Sequence, residues 1–125
     1  MFTDFEYKII SVLLEGNHPV LQILRQQLKC IKSIHRENTG AGYYVEFDIQ
    51  EGPQILHKAN FEIDDICIKL QGHEDDAGCI LFVRNGTLAF LEIYSYSENL
   101  PEPPKILSLH YKTASRNLEK FDAFL

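Results

Sequence analysis

Over roughly the first thirty positions the apolar residues recur every three to four places, and beyond about Ser33 they recur every second place. The first spacing gathers them on one side of a helix, the second on one face of a strand. Phe5, Ile9, Ile10, Leu13 and Leu14 form the first stripe. Thr3 followed by Glu6 is a capping box, whose hydroxyl and carboxylate can satisfy two orphan amides, with Phe2 and Tyr7 at the hydrophobic-staple positions. Gly16 supplies a left-handed stop. Asn17 or His18 then caps a second helix with Pro19 in its first turn and Val20, Leu21, Leu24, Leu28 and Ile31 as its apolar face. Arg25, Lys29 and Lys32 lie towards its end, where the helix dipole is negative. So short a connection predicts an antiparallel helical hairpin, and its inner face needs a sheet to cover.

Tyr43, Val45, Phe47 and Ile49 alternate with Tyr44, Glu46 and Asp48, which predicts a half-buried strand. Ile34 to Glu37 reads as its hairpin partner across the turn at residues 39–42, and Gln50-Glu51-Gly52-Pro53 breaks the pattern. Phe61 and Ile63 sit at odd positions but Ile66, Ile68 and Leu70 at even ones, so a bulge or break is expected at Asp64-Asp65. Residues 71–76 form a polar loop, and the almost wholly apolar run Cys79 to Val83 reads as a central strand covered on both faces.

Asn85-Gly86 suits a type I′ turn, which needs positive φ at both central residues. A regular two-residue hairpin then pairs Arg84 with Thr87, Val83 with Leu88, Leu81 with Phe90 and Cys79 with Glu92. It puts Ala89, Leu91 and Ile93 on one face and Leu88, Phe90, Glu92, Tyr94 and Tyr96 on the other. Pro101, Pro103 and Pro104 mark an extended surface loop, because proline cannot donate to a ladder. Ile106 to Tyr111 is a last strand, and Ser115 caps a short terminal helix with Leu118, Phe121 and Leu125 on one side. The reading is one α+β domain over residues 1–125, an N-terminal helical hairpin packed on an antiparallel sheet of about five strands.

The 18 acidic and 12 basic side chains give a formal charge of -6, and the basic ones form no dense cluster beyond Arg25, Lys29, Lys32 and Arg36. Binding a phosphate backbone requires such a cluster, so no nucleic-acid partner is expected; an acidic domain suits a basic partner or simply solubility. Cys30, Cys67 and Cys79 are odd in number and lie among apolar neighbours, which fits free thiols in a reducing compartment. The start of the chain has no basic segment and no apolar run is long enough to span a bilayer, so the expectation is a cytoplasmic protein without a membrane partner.

Glu92 is the ionisable residue with most chemical interest. The regular hairpin sets it opposite Cys79 and between Phe90 and Tyr94, where burial raises a carboxyl towards neutrality; an end of the hairpin open to water leaves it an ordinary surface acid. Tyr43, Tyr44, Tyr94 and Tyr96 all fall in strands, as a pocket lining, a partner surface or the plain strand preference of tyrosine. His18, His35, His57, His73 and His110 have no metal-ligand spacing, and no CxxC or EF-hand pattern exists. There is no GxSxG elbow, and Gly40-Ala41-Gly42 lacks the rest of a phosphate cradle. No metal, cofactor or catalytic residue is assigned.

Leu24-Arg25-Gln26-Gln27-Leu28, the stretch from Arg36 to Tyr44 and the hairpin ending Leu91-Glu92-Ile93-Tyr94-Ser95-Tyr96 with prolines beyond it resemble a group of small uncharacterised bacterial proteins. Some similar small acidic proteins are immunity proteins of toxin systems. The resemblance implies a bacterial cytosolic protein and lends no catalytic residue. Three functions follow: a non-enzymatic protein-binding module, such as an immunity-like inhibitor of a basic partner; a small-molecule or enzymatic pocket in a curved sheet with Glu92 as its polar group; or a structural homodimer using a sheet edge or tyrosine face.

Overall fold

The computed structural model describes residues 1–50, 53–57, 59–96 and 99–125. Helix α1 spans Asp4–Leu13 and α2 spans Pro19–Leu28, and both begin as their sequences dictate. The Thr3 hydroxyl accepts from the Glu6 amide at 3.1 Å while the Glu6 carboxylate accepts from the Thr3 amide at 3.0 Å, closing the capping box. His18 Nδ1 accepts from the Val20 amide at 3.1 Å, so His18 is the cap of α2. The staple does not form, because Tyr7 stays exposed and Phe2 instead meets Phe47 edge to face with centroids 5.7 Å apart. Nor do the helices form a tight hairpin. They lie on the sheet rather than on each other, and Ile31, expected on α2, opens the first strand.

Seven strands follow among the described residues, rather than about five: β1 (Ile31–Asn38), β2 (Gly42–Ile49), β3 (Phe61–Ile63), β4 (Ile66–Leu70), β5 (Ala77–Arg84), β6 (Thr87–Ser95) and β7 (Ile106–Tyr111). All pairings are antiparallel, in the order β1-β2-β6-β5-β4-β7, with β3 also on β5. The change of phase at Asp64-Asp65 is a break: β3 pairs with the Leu81–Val83 end of β5, whereas β4 meets β5 at Ile68 and Ala77 and pairs along its length with β7. One expected break lies partly outside the described residues, at Glu51 and Gly52.

One face of the sheet carries the core. Val45, Ile63, Ile66, Ile68, Leu81, Val83, Leu91 and Ile93 meet Ile9, Ile10, Leu13, Leu21 and Leu24 of the helices, all of them sealed from solvent. Phe121 closes one end from a terminal 3-10 helix, Glu119–Phe124, whose cap Leu118 makes no side-chain hydrogen bond; Ser115 is not its cap and Leu125 is exposed.

The Asn85-Gly86 turn forms with φ of 53° and 77°. It is locked from the core side by Gln27, fully buried, which donates to the Gly86 and Gln54 carbonyls at 2.9 and 3.0 Å and accepts from the Leu88 amide at 2.8 Å. The end of α1 has no basic residue of its own in its last turn, and two distant arginines supply the missing donors. Arg25 donates to the Leu14 and Gly16 carbonyls, and Arg116 to those of Leu13 and Glu15. Arg25 reaches its two carbonyls from Nη1 alone and Arg116 from both Nη1 and Nη2, satisfying groups that a helix end leaves without partners. Among the described residues no helix is long and apolar enough to cross a membrane.

Candidate functional site

The five tyrosine and glutamate positions singled out in the sequence divide between the two faces of the sheet: alternation along β2 separates Tyr43 from Tyr44, and one extra residue in β6 decides how Glu92 and Tyr94 meet β5. Arg84 pairs with Thr87 and Val83 with Leu88 as the turn requires, but the next pairs are Phe82 with Phe90, Leu81 with Leu91, Ile80 with Glu92 and Cys79 with Ile93. Leu88 and Ala89 together oppose Val83, which is a β-bulge. The expected pairings of Leu81 with Phe90 and Cys79 with Glu92 are therefore displaced by one, and Leu88 turns into the core beside Leu91 and Ile93. Glu92 does not sit against Cys79, whose thiol lies in the core, where burial pushes its pKa up to about 12.

Glu92, Tyr44 and Tyr94 instead occupy the face that no helix covers. There β5, expected to be buried on both sides, shows Ile80 and Phe82 half-exposed. Phe82 and Phe90 stack with centroids 4.2 Å apart and planes 15° apart, and Tyr44 leans on Phe90 at 5.8 Å. Tyr94 crosses Gly78, its ring carbon 2.4 Å from where a Cβ would stand, so glycine is required for the ring to lie flat there. The exposed Tyr96 meets Tyr94 edge to face at 5.4 Å. Burial, followed by the hydrogen bond with Tyr96, lifts the Tyr94 hydroxyl above its usual range.

Carboxylates are interleaved with these rings. In the β2–β6 ladder Glu46 is opposite Phe90 and Glu92 opposite Tyr44, while Glu37 of β1 accepts from the Tyr44 hydroxyl at 2.8 Å. That bond, ahead of a smaller burial effect, raises the Tyr44 pKa. Arg84, over the Phe82 ring at 5.2 Å, is held by Glu62 at 2.8 Å, so its charge is already answered. The result is a checkerboard of aromatic rings and acids. Phe90 was expected on this face with Glu92 and Tyr94, whereas Ile80 and Phe82 were not assigned to it from sequence, because an unbroken apolar run conceals which side chains face out.

Tyr43 points to the helical side, into a cleft of about 850 Å³ between the start of α1, the β1–β2 hairpin and the loop Leu100–Pro104. Beneath its floor lies Glu6, completely buried. Arg36 grips both carboxylate oxygens at 2.7 and 2.8 Å, and the Tyr43 hydroxyl donates to one of them at 2.8 Å. Burial alone would raise the Glu6 carboxyl, but the bonds from Arg36, the Thr3 amide and Tyr43, with the Arg36 charge, outweigh it and hold the pKa below its ordinary value. Burial and the bond to Glu6 keep the Tyr43 hydroxyl protonated far above its usual range. Glu92 lines no part of this cleft. The capping box marked Glu6 in the sequence, yet its ion pair spans thirty residues and left no local sign.

A further convergence has no sequence signature at all. Cys67 of β4 and His110 of β7 are opposite one another in the ladder, and Asp76 precedes β5 on the other side of β4. One donor atom from each lies within 4.8 Å of the others. No family model, no curated protein and no solved structure matches the chain.

Proposed function

We propose that the protein is a non-enzymatic protein-binding module whose helix-free sheet face covers a basic partner, in the manner of an immunity-like inhibitor. The observation that carries the reading is the alternation, on that face, of Tyr44, Phe82, Phe90 and Tyr94 with Glu37, Glu46 and Glu92. Rigid aromatic side chains supply contact area at small entropic cost, and acids among them attract and orient a cationic surface. The overall charge of -6 acts in the same direction. The sheet holds the rings in place before any partner arrives, so little ordering free energy opposes association.

The test is capture from the native host with the unaltered chain, a Phe82→Ser/Phe90→Ser pair and a Glu46→Lys/Glu92→Lys pair. The expected result is a basic protein retained by the unaltered chain, and released by both altered forms and by raised salt. Retention of no protein, or of the same proteins by all three chains, defeats the proposal. A dimer in solution that dissociates in the Phe82/Phe90 form would assign the face to a second copy instead.

A second reading, a small-molecule site, is favoured by one observation: the cleft above Glu6 is concave and combines Phe5 and prolines with Arg36 and Tyr43. Its polar groups are then Arg36 and Tyr43 rather than Glu92. Chemical-shift changes on ligand screening, confined to the cleft and absent in Tyr43→Phe, would select it.

A further inference from the structure

We infer that Cys67, Asp76 and His110 form a three-ligand site for a zinc-class divalent ion, open at its fourth position. The inference does not depend on the docking reading, although the site lies on the same helix-free face.

Three features carry it. Two of the donors are set by the ladder itself: Cys67 and His110 are direct cross-strand partners, whose Cβ atoms lie about 4.5–5.5 Å apart in any antiparallel pair, and Asp76 stands immediately before β5. Tetrahedral zinc with bonds of about 2.0–2.3 Å needs donors roughly 3.4–3.8 Å apart. Donors within 4.8 Å therefore need about 1 Å of adjustment, which χ rotation of the exposed His110 and half-buried Asp76 supplies without moving the backbone.

The donor types agree with one another. A thiolate with an imidazole and one carboxylate suits zinc and its neighbours, whereas magnesium and calcium require oxygen ligands throughout. Cys67 has no disulfide to enter: all three cysteines are free, and Cys79 faces the core from the other side of the sheet.

The open side of the three donors is that of the exposed His110, since the space over Gly78 is taken by the Tyr94 ring. Three protein ligands facing solvent match the arrangement in which water or an incoming donor takes the fourth position.

The test uses the full chain, reduced and stripped of metal, with cobalt(II) as the spectroscopic probe. One equivalent should produce a thiolate-to-cobalt charge-transfer band that zinc abolishes by displacement. Cys67→Ser should remove the band, His110→Ala should weaken binding by more than about a hundredfold, beyond what loss of an outer-shell partner costs, and Cys79→Ser should leave both unchanged. Should Cys67→Ser fail to fold, alkylation of the unaltered chain takes its place, with zinc protecting Cys67 and leaving Cys30 reactive. Absence of the band at one equivalent, its persistence in Cys67→Ser, or undiminished alkylation of Cys67 under zinc overturns the site.

Discussion

Phe82 and Phe90 stack face to face across β5 and β6, and they do so because Ala89 is an extra residue in the ladder. With a regular ladder from the turn onward, Phe82 would oppose Ala89 and Phe90 would oppose Leu81. The bulge thus turns Leu88 and Leu91 inward together and leaves Phe90 and Glu92 outward.

Mutational costs should rank by this face assignment. Leu91→Ala, at a position sealed from solvent, should cost about 2–5 kcal/mol. Phe90→Ala removes a half-exposed ring and two aromatic contacts, with Phe82 and Tyr44, and should cost about 1–2 kcal/mol. Urea unfolding of the two variants checks the ranking, and a larger loss for Phe90→Ala would refute the register.

Deleting Ala89 should be tolerated. Leu88 would still oppose Val83, Phe90 would still oppose Phe82, and every later pair would keep its partner; only the local twist of the bulge is lost. The expected cost is no more than about 2 kcal/mol. Thermal unfolding together with a retained Phe82–Phe90 nuclear Overhauser contact would establish it, whereas deletion of Leu91, which reverses the facing of all that follows, should abolish folding.

The pair of Glu6 and Arg36 should make stability depend on acidity in a defined direction. The folded Glu6 pKa lies below its ordinary 4.5, so the unfolded chain takes up the proton more readily. The contribution is full above that value and is lost as pH falls through it towards the folded pKa. Arg36→Ala leaves a buried carboxylate without its cation and should cost about 3 kcal/mol at pH 7, near the lower bound for a broken buried pair because the Arg36 side chain is 40% exposed. In that variant burial is opposed only by the bonds from the Thr3 amide and Tyr43, and the loss of stability on acidification should become smaller. Urea midpoints at pH 7 and pH 4 measure both effects; an acid sensitivity unchanged in Arg36→Ala would exclude this account.

Two glycines should respond differently to alanine. At Gly86 an added Cβ would stand 1.5 Å from the Leu56 carbonyl oxygen at a φ of 77°, and that backbone is fixed by the bonds of Leu56 to Gly86 and of Gly86 to Ala59. Gly86→Ala should cost more than about 3 kcal/mol. Gly78→Ala collides only with the Tyr94 ring, which can rotate away, so stability should fall by about 1 kcal/mol while the outward face is rearranged. Calorimetric unfolding separates the two, and equal losses would contradict the distinction.

Elements whose causes are local were legible in the sequence. The α1 capping box, the proline at the start of α2, the β1–β2 alternation and the Asn85-Gly86 turn each depend on residues within a few positions of one another. Ala89 was not legible, since nothing in a run of apolar residues distinguishes a bulge from a continuing strand, and that single residue moved Glu92 to the opposite face from Cys79. The Glu6–Arg36 contact and the convergence of Cys67, Asp76 and His110 were hidden for a different reason. They exist only once strands distant in sequence lie side by side. Leu125 stays exposed because a 3-10 turn of three residues does not repeat an apolar stripe at the helical spacing.

The arginine forks at the end of α1 bear on the order in which the molecule can be made. A ten-residue helix is marginal alone in water, and this one depends for its last carbonyls on a side chain about a hundred residues downstream. The terminus of α1 is therefore sealed only after a segment about a hundred residues further along has been made, and a fragment cut ahead of Arg116 leaves the Leu13 and Glu15 carbonyls without that donor.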